Sequence, residues 1–214
     1  MRPPFTPQEF FEVFGRYNEA VMPLQIALFL LALSAFGALM LRGRDCDRVI
    51  SAILAVLWLW MGVVYHLIYF RDINPAATAF GLMFIAAAAI FAWAGVVQRR
   101  LAFDGASRTR RIAGHALIVY ALVIYPLLSA MLGRAFPEVP TFGLPCPTTI
   151  FTIGMLAFLS PPFPRYAFAV PVAWTLVGTQ AAFLFGIYED LGLLAAGLTG
   201  LWLAIDAPAR TRHA

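Results

Sequence analysis

Long apolar runs alternate with short polar connections along this chain. A hydrocarbon core about 30 Å thick needs about 20 helical residues to cross it. On that measure the pattern predicts seven spans, at residues 23–41, 49–70, 76–97, 112–132, 144–159, 167–185 and 191–205, of which the fifth and seventh are short. The connections are brief, so the expectation is an all-α polytopic transmembrane helix bundle over residues 23–205, followed by a cytoplasmic tail at 206–214. Ahead of the bundle, Thr6-Pro7-Gln8-Glu9 has the form of a capping box with proline at the first helical position. Phe10, Val13, Phe14, Tyr17 and Val21 then share one helical face, which predicts a short amphipathic interfacial helix within residues 1–22. Glu9, Glu12 and Glu19 precede the first apolar run, which argues against a signal peptide.

Composition removes the soluble alternative: 62% of the residues are hydrophobic and 12% charged, so the lipid bilayer is the implied partner. There is no lysine, and the fifteen arginines are distributed unevenly between alternate connections. Arg42, Arg44 and Arg48 follow the first predicted span; Arg99, Arg100, Arg108, Arg110 and Arg111 follow the third; Arg165 follows the fifth; Arg210 and Arg212 follow the seventh. The other side has only Arg2, Arg16, Arg71 and Arg134. The positive-inside rule therefore places the N-terminus outside and the C-terminus in the cytoplasm, which requires an odd number of spans. This alternation accounts for the basic balance without a nucleic-acid surface.

The chemistry within the spans is sparse. No Asp, Glu or Arg falls inside any of the seven predicted spans, so a relay through an intramembrane carboxylate is not expected. Without lysine there is no retinal Schiff base. His66 and His115 lie near opposite ends of their spans, on the order of 20 Å apart in height, and cannot share a haem or metal; His213 is in the tail. Gly192, Ala196 and Gly200, and Ala77 with Gly81, have the spacing of close helix packing. Pro126 and Pro171 predict kinks.

Polar groups gather at the outer ends: Tyr65, His66, Tyr69, Asp72 and Asn74 from the second span, Thr179 and Gln180 from the sixth, and Tyr188, Glu189 and Asp190 before the seventh. Pro145-Cys146-Pro147-Thr148-Thr149 opens the fifth span there, with Cys146 near the helix cap. The candidate ligand site is His66, Cys146, Thr149 and Gln180, with Asn74 and Glu189 near its mouth. A soft metal held transiently by the Cys146 sulfur and the His66 imidazole, and an anion on the open amides of the fifth helix, are both admitted. A polar cap that only satisfies helix ends accounts for the same residues equally well. No resident cofactor is called for. Cys46 and Cys146 are expected on opposite faces, which precludes a disulfide between them.

Tyr17-Asn18 with Pro23 and Gln25, Tyr65-His66 with Asn74-Pro75-Ala76, and above all Phe142-Gly143-Leu144-Pro145-Cys146-Pro147-Thr148-Thr149 resemble the recurring motifs of a family of bacterial integral membrane proteins of unknown function, sometimes labelled permease-like. The resemblance implies a seven-helix protein of the bacterial inner membrane and carries no assigned catalytic or binding residues. A transporter or permease for a small solute or ion is the first reading, on architecture. The alternative is a membrane sensor or partner subunit that couples an external ligand to the arginine-rich inner face. A membrane enzyme using Cys146 or His66 is the third; neither motif contains a base and its orienter, and no His-x-x-x-His zinc pattern occurs. A protein partner and self-association stay open.

Overall fold

A computed structural model describes residues 4–41, 43 and 45–206. His213, Arg2, Arg42, Arg44, Arg210, Arg212 and the tail from residue 207 onward lie outside them. Among the described residues the fold is all helical, apart from one isolated bridge between Phe142 and Leu144. Six helices are long and apolar enough to cross a membrane: α1 (Pro7–Leu41), α2 (Cys46–Asp72), α3 (Ala77–Val97), α4 (Arg108–Met131), α6 (Arg165–Leu184) and α7 (Tyr188–Asp206). Between α4 and α6 lies α5 (Pro145–Leu156).

The surface of the bundle, rather than its largely apolar core, differs from that of a water-soluble protein. Leu198, Leu176, Phe183 and Ile205 are each about 70% exposed, whereas Asn18, His66, Ser129, Thr148, Thr149 and Glu189 are fully enclosed. Lipid is as apolar as leucine, so large aliphatic groups stand outward without penalty and polar groups must find partners inside.

Two boundaries differ from the sequence pattern. The expected interfacial helix and first span are one continuous helix of 35 residues, with Pro23 inside it. At 1.5 Å per residue this runs roughly 52 Å, far more than a bilayer core needs. The capping box forms as expected: the Thr6 backbone N–H donates to Glu9 Oε2 at 2.7 Å, and the Glu9 N–H donates to Thr6 Oγ1 at 3.2 Å. Phe10, Val13, Phe14, Tyr17 and Val21 are all buried, against protein rather than at a lipid surface.

The expected fifth span is the 12-residue helix α5, about 18 Å long and not among the six crossing helices. Every residue of α5 from Thr148 to Leu156 is buried, in contact with α4, α6 and α7. Gly114 of α4 and Gly154 of α5 let these two backbones touch: a Cβ on Gly114 would lie 2.8 Å from the Gly154 carbonyl oxygen. Such an approach leaves no free room for a side chain at either position.

The two ends of the bundle are distinguishable. At one, the Phe103 N–H donates to Asp47 Oδ1 at 2.9 Å, the Ser160 N–H donates to the Ala102 carbonyl at 2.7 Å, and the Arg110 guanidinium lies over the Phe163 ring. At the other, Arg16 pairs with Asp72, and the Asn18 amide donates to the carbonyls of Pro137 and Val139. The chain from Arg134 to Arg165, which contains α5, thus starts at the Asn74 end and finishes at the Asp47 end. His115 is satisfied locally, against the Arg111 carbonyl and the Phe158 ring.

Candidate functional site

The Asn74 end holds an aromatic cavity of about 260 Å³. The first half of α1 covers it. Phe5 and Phe10 stack on Phe185 at the end of α6, Phe10 packs on Phe70 of α2, and Phe14 packs on Tyr65. Tyr17, Asn18 and Gln25 secure this arrangement. Trp60 donates to the Tyr17 hydroxyl at 2.8 Å, and Gln25 donates to Asn18 Oδ1 and Thr141 Oγ1, so α1 is sewn to the loop that leads into α5. The Gly143 N–H donates to Thr148 Oγ1, which closes that loop onto the first turn of α5.

Three of the six candidate residues line the cavity: Cys146 at the start of α5, Asn74, and Gln180, which is exposed at its rim. Asn74 also caps the following turn by accepting the Ala76 N–H at 3.0 Å. The other three stand elsewhere. His66 is fully enclosed and neither ring nitrogen has a hydrogen-bond partner. Tyr65, Phe70, Phe80 and Trp174, all of them cavity residues, pack around its ring, so the imidazole lies behind the cavity wall. Thr149 is buried in α5 with an unpartnered hydroxyl and does not reach the cavity.

Glu189 does not stand at the mouth. It is fully buried, as is Asp190, because α7 begins at Tyr188 and its first turn is drawn into the bundle. Ser129 Oγ donates to Glu189 Oε1, and Arg134 Nε approaches the same oxygen at 3.3 Å. The Tyr120 hydroxyl donates to the Glu189 carbonyl at 2.7 Å. The Tyr125 hydroxyl donates to Asp190 Oδ1 at 2.6 Å, and the Cys146 thiol faces the same carboxylate. Two carboxylates with one arginine between them leave this interior one charge negative when both are ionised.

A wider helical turn makes this possible. Residues Tyr120–Ile124 wind as a π-helix, which closes after five residues instead of four and brings Tyr120 and Tyr125 onto one face. A second π segment, Met61–Tyr69, turns the adjacent Tyr65 and His66 both inward. Such windings are frequent at functional sites. Sequence reasoning missed Asp190, Tyr125, Ser129, Arg134 and Trp174 as site residues. The signal present was the Tyr120–Tyr125 pair, followed by Pro126, in a span whose other polar side chains are His115 and Ser129.

Tyr125 and Pro140 border a second cavity, of about 320 Å³, whose wall includes Arg134, Phe29 and Thr141. Among the described residues no three His, Cys, Asp or Glu side chains converge to hold a metal ion.

The chain belongs to a family of unknown function, DUF6064, whose model matches residues 7–214. No curated protein and no solved structure matches the chain.

Proposed function

We propose that the protein is a small-solute permease of the bacterial inner membrane whose solute occupies the aromatic cavity and whose coupling group is the Asp190 carboxylate. The observation that carries this reading is a pair of fully buried carboxylates inside a bundle of membrane-length helices, one of them bonded to Tyr125 and beside Cys146, two residues of the cavity wall. An ionisable group enclosed among membrane helices is costly to keep and marks a pathway for ions, protons or substrate. Tyr125 and Pro140 border both cavities. α5, short and enclosed with its N-terminus at the cavity, has the form of the discontinuous helices that build transporter sites.

In this reading the segment containing α5 is a seventh crossing, with extended chain completing the distance its short helix leaves. The arginine-rich Asp47 end faces the cytoplasm, the cavity opens to the periplasm, and the N- and C-termini lie on opposite sides.

The test is solute movement by purified protein in sealed vesicles, with internal pH followed by a trapped dye. A panel of small organic cations, neutral alcohols and carboxylates is offered in turn. The proposal expects at least one solute to move with a proton flux that Asp190→Asn abolishes. Binding without movement of any solute makes the protein a sensor instead.

A further inference from the structure

We infer that the cavity at the Asn74 end is a site for a small organic cation, an alkylammonium that also carries a hydrogen-bond acceptor. This rests on the reading of that cavity as the solute site and adds the chemistry of the solute.

The first observation is the wall. Aromatic rings from α1, α2, α3, α4 and α6 surround the cavity, among them Phe10, Tyr65, Phe80, Tyr125 and Trp174, and among the described residues no Lys, Arg or His lines it. Aromatic faces are negative and attract an alkylammonium, whose dispersed charge is weakly hydrated and easily stripped of water. The rings alone would accept a neutral hydrocarbon as well.

The second observation is charge. Asp190 lies directly behind Tyr125 and Cys146, and the groups that face it are Tyr125, Cys146, Glu189 and Arg134, with Tyr65 and Tyr120 farther off. Arg134 pairs with Glu189, the Gly186 carbonyl and the Phe11 ring and acts on Asp190 only at longer range, so among the described residues Asp190 has no ion pair. In an enclosed, poorly screened interior that charge is felt at the cavity. The whole end has the same bias: among the described residues it carries seven acids, including Glu9, Glu12, Glu19, Asp72 and Glu138, against three arginines. The Asp47 end carries seven arginines against four acids. An approaching cation is drawn to the cavity and an anion is repelled. This removes the anion that the open amides of α5 would otherwise suit.

The third observation is an unsatisfied donor. The Trp174 indole N–H is buried without a hydrogen bond of ordinary geometry; its polar neighbour is the Cys146 sulfur, a weak acceptor that also belongs to the cavity wall. A hydroxyl or ether oxygen on the ligand completes it.

Purified full-length protein in detergent is titrated with choline, with tetramethylammonium and with 3,3-dimethylbutan-1-ol, the uncharged isostere of choline, by calorimetry. Choline is expected to bind at least about tenfold more tightly than the isostere. Asp190→Asn should remove that gap while the alcohol binds as before. Trp174→Phe, which keeps the ring and deletes the donor, should weaken choline about threefold to tenfold and leave tetramethylammonium unchanged. Equal binding of choline and its isostere to the wild-type protein overturns the inference while leaving the cavity as a solute site, and no binding of either cation overturns it also. These two comparisons need no variant to fold. Tight choline binding without transport in vesicles would instead overturn the permease reading and leave the cation site standing.

Discussion

Tyr125 and Asp190, 65 residues apart, are joined by a 2.6 Å hydrogen bond that links the wall of the aromatic cavity to the interior charge. Neither side chain is more than 1% exposed, so no water substitutes for either partner. Tyr125→Phe should lower stability by about 1–3 kcal/mol, the cost of leaving a buried acceptor without its donor. The check is the thermal midpoint of the purified protein in detergent. A midpoint equal to that of the wild type would mean that Asp190 finds another donor.

Arg134 is the counter-ion of Glu189, whose side chain is wholly enclosed while that of Arg134 is 16% exposed. Arg134→Met should therefore destabilise by roughly 3–5 kcal/mol, because it strands a buried carboxylate. Adding Glu189→Gln removes that charge and should restore a large part of the loss. A double-mutant cycle measures the coupling, and purely additive losses would show that the pair contributes nothing.

The α4–α5 contact depends on Gly114 and Gly154. A Cβ on Gly154 would lie 2.9 Å from Ile118 Cγ1 and 3.1 Å from the Gly114 carbonyl oxygen. Gly154→Ala is expected to cost about 1–3 kcal/mol through overpacking, and Gly154→Leu to abolish monodisperse protein on size exclusion. Wild-type elution by the leucine variant would contradict the observed approach of the two helices.

Orientation is tested on the cysteines and the C-terminus. A cytoplasm-only fluorescent reporter fused to the C-terminus should fluoresce, and alkaline phosphatase there should be inactive. Cys46, which accepts the Gly43 N–H at the Asp47 end, should react with an impermeant maleimide only after spheroplasts are lysed. Labelling of Cys46 in intact spheroplasts would reverse the assignment.

Several features were legible because their causes are local. Thr6 and Glu9 are three residues apart and cap their helix whatever lies around them. The buried stripe from Phe10 to Val21 follows from helical periodicity. Cys146, Asn74 and Gln180 reach one cavity because depth in a membrane is countable along each span. His66 and Thr149 have the right depth but the wrong direction: hydropathy fixes height and is silent on which neighbour a side chain meets. The π turns at Met61–Tyr69 and Tyr120–Ile124 rotate the faces of α2 and α4 away from the regular helical count.

Helical character, enough apolar surface for lipid, and runs of membrane length with arginines on alternate connections were all readable along the chain, because each depends on composition and on sequence distance. The enclosure of Glu189 and Asp190 was not readable there and comes from packing. A hydropathy pattern assigns two adjacent acids to water, and here Ser129, Arg134 and Tyr125, contributed by α4 and the loop after it, supply the hydrogen bonds and counter-charge that water would have given. The same holds for α5: its run of apolar residues and threonines has the composition of a crossing, and only the packing of α4, α6 and α7 around every residue from Thr148 to Leu156 makes it a short enclosed post.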